Sequence, residues 1–421
     1  MPGLILSSPA SGSGKTTVTL GILRALTQRG IRVKGAKSGP DYIDPRFHEA
    51  ACGAPCLNLD AWAMSAPRIR SLAATGDLLL IEGAMGLFDG APPDGKGATA
   101  DLARILELPV ILIVDAARMA QSVAAIVSGF ARYDQQTRIT AVILNRVGSL
   151  RHEATLRRAL APLGLPVLGA IPRDASLVHP SRHLGLVQAQ ERPDLKAFLD
   201  RAGALVAQAV DLDALAALAS PLPPKESAPV LPPPAQNIAL ASDEAFAFAY
   251  PHLLQDWQAQ GAEIRPFSPL ADDSIPEADF VFLPGGYPEL HAGRIAGAEN
   301  FLSSLNKTAQ SIDIYAECGG YMVLGKTLTD ADGHTHKMAG LLALDTSFSS
   351  RRLHLGYRNL TSRAGPFHGP LKAHEFHYAT TIRAEGEPLF DATDAEGKTL
   401  PAMGLRGGRV CGSFAHIIDA G

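Results

Sequence analysis

The sequence predicts an α/β protein of two domains. The first is a doubly wound parallel sheet carrying a phosphate loop, and the second is an α/β domain that begins after a proline-rich break. Three observations support this. Near-continuous apolar runs alternate with segments of helical period, a glycine-rich loop stands between the first run and the first helix, and composition shifts sharply once, near the middle of the chain. The chain has 421 residues, 46% of them apolar, which is more than one ordinary core accommodates.

In the first half the apolar runs are LILSS, RVKGAKS, LLLIEG, PVILIVD, TAVILN and PVLGAI. They lack the in–out alternation of a half-exposed strand, as expected for strands covered on both faces. Helix-period segments at 16–28, 99–106, 121–133 and 153–161 separate them, and that alternation predicts a parallel sheet. Residues 221–236, PLPPKESAPVLPPPAQ, hold seven prolines in sixteen positions. Proline removes amide donors and disfavours helix in its neighbours, so this stretch reads as a semi-extended linker. The expected division is 1–220, an ATP-binding domain; 221–236, the linker; and 237–421, the second domain. The second half restarts the pattern with NIALA, a helix near 246–260, AEIRPF, DFVFLPGG, a helix near 298–307 and SIDIYAECGG. From 338 to 413 the segments turn short and hairpin-like.

Bulk composition narrows the function. Net charge is −4, which provides no basic field for nucleic acid or an anionic membrane. No apolar run reaches the ~20 residues of a membrane helix, and the start of the chain has no positive n-region of a signal peptide. The four cysteines are Cys52, Cys56, Cys318 and Cys411, too few for a disulfide scaffold at this size. Free thiols in a reducing, cytoplasmic setting are expected.

SSPASGSGKTT follows the first apolar run and opens the first helix. Gly12 and Gly14, with Ser13 between them, let backbone amides turn toward an anion. Lys15 supplies a positive charge, Thr16 a hydroxyl for Mg²⁺, Thr17 continues the helix start, and the helix N-terminus adds its dipole. The usual spacing asks for glycine at position 9, where this chain has Pro9. Two acidic motifs stand where later strands end: GPDYIDP with Asp41 and Asp44, and IEGAMGLFDG with Glu82 and Asp89. Strand ends are the ligand side of an open parallel sheet, and Mg²⁺ between phosphates takes one or two carboxylates. Asp41 and Glu82 are the expected metal ligands with Thr16. Asp44 and Asp89 are assigned to substrate or activation, against the plainer possibility of turn chemistry. Asn145, at the end of a later strand, is a candidate to read adenine.

AECGGYM places Cys318 directly after a strand and before Gly319 and Gly320. Such a sharp turn exposes a nucleophile and lets the next amide serve an oxyanion hole, and a helix N-terminus favours thiolate. FLPGGYPE adds Gly286 as a second source of amides, so Gly286 and Gly319 are the expected oxyanion pair. His416 in GSFAHI is the candidate base. Cys52 and Cys56 lack a second pair at zinc spacing. His374 and His377 in HEFHYA stand three apart, the spacing of a metal pair, but in poor helix context, and are read as ordinary polar contacts; Arg351, Arg352 and Arg358 are read either as contacts to an anionic substrate or as solvated surface.

Taken in order, SGSGKTT, GPDYIDP, NLDAWAM, IEGAMGLFDG, VDAARMAQSVAA, LPGGYPE, AECGGYM, HEFHYA and GSFAH span nearly the whole chain. Together they resemble the a,c-diamide synthases of cobalamin biosynthesis, which amidate cobyrinic or hydrogenobyrinic acid. The resemblance implies a dethiobiotin-synthetase-like ATP domain joined to a class I glutamine amidotransferase domain. It implies ATP and Mg²⁺ as cofactors, and L-glutamine and a tetrapyrrole (hydrogenobyrinic or cobyrinic acid, the cobalt-free ring being favoured) as partners, with no nucleic acid or membrane. A homodimer is an open expectation. By that likeness Cys318 is the nucleophile and His416 raises its nucleophilicity. Many class I amidotransferases carry Glu two residues after this histidine, but here Ile418 stands there, which leaves open what orients His416. The alternatives are the same chemistry on another tetrapyrrole, such as nickel sirohydrochlorin, and a non-catalytic P-loop regulatory ATPase, from which glutaminase activity distinguishes it.

Overall fold

The computed structural model describes residues 2–74, 76–177, 181–182, 185–186 and 188–421, and the chain divides into two compact units, Met1–Ala228 and Pro229–Gly421. In the first unit the apolar runs are strands: β1 Pro2–Ser7, β2 Val33–Ser38, β3 Leu57–Leu59, β4 Leu78–Glu82, β5 Val110–Asp115, β6 Ile139–Val147 and β7 Val167–Pro172. Their order is β3-β2-β4-β1-β5-β6-β7, with every neighbour along it parallel. β4 is buried at all five positions, the burial expected of a strand covered on both faces. β1 lies between β4 and β5, and the chain winds to either side of it. Ligand-binding loops gather at such a reversal, beyond the carboxyl ends of the strands.

Helices α1 Lys15–Gln28, α2 Asp44–Cys52, α3 Ala66–Ala73, α4 Thr99–Leu106, α5 Ser122–Tyr133, α6 Leu150–Leu160 and α7 Leu195–Ala209 connect or cover the strands. α6 begins three residues before the expected 153 because Ser149 caps it, accepting from the His152 amide at 3.1 Å. α2 and α3, eight or nine residues long, each carry a proline in the first turn and are not among the helix-period segments of the sequence. α1 and α7 pack closely through small residues. A Cβ at Gly21 would lie 2.8 Å from the Ala202 carbonyl oxygen and 2.5 Å from Val206 Cγ2, so only glycine fits this crossing.

The second unit holds a six-stranded sheet in the order Glu263–Phe267, Asn237–Ala241, Phe280–Leu283, Asp313–Glu317, Val410–Ser413, Leu405–Gly407. Its first five strands are parallel and the last is antiparallel. The hairpin-like region forms two further sheets. In one, Pro370–His377 lies between His354–Ser362 and Ala415–Ala420, antiparallel to both. The helix expected near 246–260 is confined to Pro251–Ala259, since Pro251 keeps the preceding Tyr250 extended (ψ 119°). Among the described residues no helix is long and apolar enough to cross a membrane.

Candidate functional site

The phosphate loop connects β1 to α1. Gly12 and Gly14 take positive φ, 78° and 82°, and a Cβ on Gly14 would lie 2.4 Å from the Asn145 side-chain nitrogen. Lys15 donates to Ser8 Oγ at 3.0 Å and to the Met85 carbonyl at 2.5 Å, and burial lowers its pKa to about 8. Gly12, Gly14, Lys15, Thr16, Thr17 and Asn145 line a cavity of about 340 Å³, together with Arg146, Asp174 and the apolar Ile171, Leu177 and Val206. Its lining thus combines charged and polar groups with apolar side chains. Asn145, considered for adenine, donates its side-chain amide to the Ser13 carbonyl at 2.9 Å. That bond braces the loop and uses one of the two amide hydrogens.

The acidic cluster lies at the start of α1. Thr16 Oγ1 donates to Glu82 Oε1 at 2.6 Å and approaches Asp44 Oδ2 at 3.4 Å. Asp44, rather than Asp41, shares this cluster. Asp41 Oδ1 accepts instead from the amides of Ile43 (2.7 Å) and Asp44 (3.0 Å), closing the turn that starts α2. Burial, and then the neighbouring Asp44, raises Asp41 to about 6. Asp89 likewise closes a turn, accepting from the Gly86 amide at 2.9 Å. Lys37, on β2, bridges the two clustered carboxylates at 2.5 Å (Asp44) and 2.8 Å (Glu82), and His48 Nε2 meets the other Glu82 oxygen at 2.7 Å. Burial alone would lower the Lys37 pKa, but Asp44 and Glu82 outweigh it and hold the ammonium well above the usual lysine range. Burial would raise Glu82, yet Lys37 and His48 hold it well below the usual carboxylate range. This cluster is therefore buried and charged.

In the second unit Cys318 leaves the strand Asp313–Glu317 at φ 44°, ψ −103° and opens the helix Gly319–Leu324. This is a conformation a non-glycine residue adopts only under constraint. Its amide donates to the Ser413 carbonyl at 2.8 Å, and its carbonyl accepts from the Met322 amide at 3.1 Å, so the elbow is held from both sides. At Gly285 a Cβ would lie 2.2 Å from His416 Cε1, 2.8 Å from His416 Nε2 and 3.2 Å from Cys318 Cβ, so both side chains border a position that only glycine can fill. A Cβ on Gly319 would fall 2.9 Å from the Gly286 nitrogen, so the backbones of the two residues expected to form the oxyanion pair pack against each other. Burial, followed by Glu289, pushes the Cys318 thiol well above its ordinary value, while the Gly319 amide works against the shift. Burial lowers His416 to about 3, with His374 and His377 adding to the effect.

Residues 4–187 match the CobQ/CobB/MinD/ParA nucleotide binding domain family, and residues 237–420 match the CobB/CobQ-like glutamine amidotransferase domain family. A hydrogenobyrinate a,c-diamide synthase of Brucella abortus is 54% identical over 100% of this chain and 99% of its own length. One from Rhizobium meliloti is 54% identical over the same shares. One from Rhodobacter capsulatus is 51% identical over 99% of this chain and 98% of its own. The chain belongs to the hydrogenobyrinate a,c-diamide synthase family.

Around this family's two motifs the structure brings in Lys37, His48 and Glu317, to which the sequence reading gave no role, and gives others new neighbours. Lys37 and His48 come from β2 and α2. Glu317, immediately before the elbow, lies 3.6 Å from His416 Nδ1 through Oε2. His374 faces His416 across paired strands, and His377 stacks on Phe414 with ring centroids 3.9 Å apart. Arg358, considered for an anionic substrate, instead donates to Glu375 at 2.6 and 2.9 Å. Cys52 and Cys56 are both free thiols. Cys56 contacts His48 Nδ1 at 3.5 Å, a neighbour of the acidic cluster that metal spacing did not suggest.

Proposed function

We propose that this chain is a glutamine-hydrolysing ligase that uses ATP to amidate the a and c acetate carboxylates of hydrogenobyrinic acid. The observation that carries this reading is the presence, in one chain matched end to end by named synthases, of a phosphate loop and a constrained thiol elbow. Each has its own partners within its own unit.

A carboxylate is a poor electrophile, so it must be activated before ammonia can displace anything from it. The phosphate loop amides, Lys15 and the start of α1 hold the ATP phosphates. Thr16, Glu82 and Asp44 present hydroxyl and carboxylate oxygens, a hard donor set that suits Mg²⁺, and Lys37, which bridges the two carboxylates, offsets only one of their two negative charges. The ion, when bound, neutralises charge on the phosphates; Asp41 shapes the turn that presents Asp44. A ring carboxylate attacks the γ-phosphate to give an acyl phosphate and ADP. Ammonia then displaces phosphate and leaves the amide.

Ammonia comes from glutamine. Cys318 Sγ attacks the side-chain amide carbon as its proton passes to His416, and the amides of Gly286 and Gly319 hold the developing oxyanion. His416 returns the proton to the departing ammonia, and water cleaves the thioester to glutamate. The free thiols suit a reducing cytoplasm.

One phosphate loop and one elbow must serve two carboxylates spread round a rigid ring, so the amidations are sequential. A time course with hydrogenobyrinic acid, ATP, Mg²⁺ and glutamine should show a monoamide rise and fall before the diamide, with one ADP per amide. If hydrogenobyrinic acid is inert while cobyrinic acid reacts, the assigned ring substrate is wrong. ATP turnover without any tetrapyrrole amidation would favour a regulatory ATPase instead.

A further inference from the structure

The position two residues after His416 holds Ile418, which is fully buried and has no group to orient an imidazole. The carboxyl nearest the ring comes from the strand that carries the nucleophile. Glu317 Oε2 lies 3.6 Å from His416 Nδ1, with both side chains almost completely enclosed. Its other oxygen, Oε1, is fixed twice, accepting from the Ile417 amide at 3.0 Å and from the Tyr315 hydroxyl at 3.1 Å. Ile417 is the next residue after the histidine, so the carboxyl group is tied to the backbone of the strand that bears His416. Its second oxygen is left directed at the ring.

The sidedness of the ring supports the same assignment. Its Nε2 edge faces Gly285, which Cys318 also borders; its Nδ1 edge faces Glu317. A thiol-to-imidazole proton transfer needs Nε2 to accept while the proton on Nδ1 has an acceptor of its own, the arrangement by which an acid holds a base in the productive tautomer.

We propose that Glu317 is the positioning residue that orients His416 and balances its charge when it takes the Cys318 proton, replacing the acid that the chain lacks at position 418. The inference rests on the amidotransferase reading above. In the transfer, the proton leaves Cys318 Sγ for His416 Nε2 as the carbon–sulfur bond forms. The Nδ1 proton stays on the ring and faces the Glu317 carboxylate, and the Nε2 proton later leaves with ammonia. Catalytic hydrogen bonds often close only when substrate binds, and 3.6 Å is one small shift from such a bond. Burial lifts Glu317 to about 8, against the pull of the Ile417 amide and the Tyr315 hydroxyl, so the working form is the carboxylate left once that proton has passed to solvent. An imidazolium forming beside it favours the ionised carboxylate.

The test is Glu317→Gln in the full chain, with Cys318→Ala as the reference variant and glutamine or ammonium as the nitrogen source. Glutamine matches the shape of the carboxyl and keeps an oxygen for the Ile417 amide, but it offers a donor to Nδ1 and so favours the unproductive tautomer. The expected result is a fall of about 10²–10⁴-fold in kcat with glutamine, KM for glutamine within about threefold of wild type, and unchanged ammonium-dependent amidation. Glutamine-dependent kcat within threefold of wild type overturns the proposal. So does an equal loss with both donors, or a loss that appears mainly as a rise in KM, since either indicates packing. If Cys318→Ala itself retains glutamine-dependent activity, the amidotransferase reading fails. If only Glu317→Gln retains it, that reading stands and the role of Glu317 falls.

Discussion

The two centres occupy corresponding places, each at the carboxyl end of a parallel strand where a glycine-bearing loop opens a helix, yet their electrostatics are opposite. In the first unit Lys37, Glu82 and Asp44 are packed so that burial is outweighed by opposite charge, and the ammonium and the Glu82 carboxylate are held in their ionised forms. At the elbow of the second unit burial is the largest influence on Cys318, His416 and Glu317, and it prevails. The Cys318 thiol is pushed up, His416 is pushed down to about 3 and Glu317 is lifted to about 8, so the neutral forms are favoured. Phosphoryl transfer stabilises charge already present on the nucleotide, and fixed ions serve it best. A thiol that attacks only when its substrate is in place gains from staying protonated until then, because a standing thiolate is open to oxidation.

The largest effects should come from the charged centre. Lys15→Ala and Glu82→Gln are expected to lower product formation by about 10²–10³-fold or more with glutamine and with ammonium alike. Normal rates with ammonium in either variant would place the ATP site elsewhere. Next is Gly285→Ala, which puts a methyl group against His416 and Cys318 where the nearest ring atom would be 2.2 Å away. Glutamine-dependent turnover should fall by about 10²-fold while ammonium-dependent turnover holds. Retained glutaminase activity would mean that the thiol and imidazole do not meet beside this residue.

A smaller effect separates the centres by pH. Burial would raise Glu375, but His377 and Arg358 hold it at about 2. A carboxyl depressed in the folded state contributes stability that is present above its ordinary pKa near 4.5 and is lost as pH falls toward 2. Scanning calorimetry between pH 5 and pH 3 should show the second unit losing a few degrees more in the wild type than in Glu375→Gln. Equal slopes would remove the ion pair from this account. The smallest signal is spectroscopic. Without glutamine, the thiolate absorbance that distinguishes wild type from Cys318→Ala should be missing at pH 7, and a difference already present there would erase the contrast between the two sites.

How much of this was legible in the sequence follows the same division. The phosphate loop and the elbow are contiguous, and their chemistry is largely backbone chemistry, so glycine spacing between a strand and a helix was enough to locate them. The parallel sheets were legible because buried strands leave unbroken apolar runs. What was missed depends on neighbours distant in sequence or on the direction of a side chain. Asp41 and Asp44 lie three residues apart, and only the start of α2 at Asp44, with Pro45 in its first turn, decides that Asp44 faces Thr16 while Asp41 closes the turn. Lys37 looked like one residue of a strand, and its pairing needs β4 beside β2. Glu317 was visible next to Cys318, but its approach to His416 depends on a strand 100 residues further on.

The measurement that tests the central claim most directly is the nitrogen-donor preference of Cys318→Ala, assayed with glutamine and with ammonium under the same ATP, Mg²⁺ and hydrogenobyrinic acid. If the thiol only supplies ammonia, glutamine-dependent amidation should fall by about 10³-fold or more while the ammonium-dependent rate stays within about threefold of wild type. Equal loss with both donors would contradict the division of labour between the two centres.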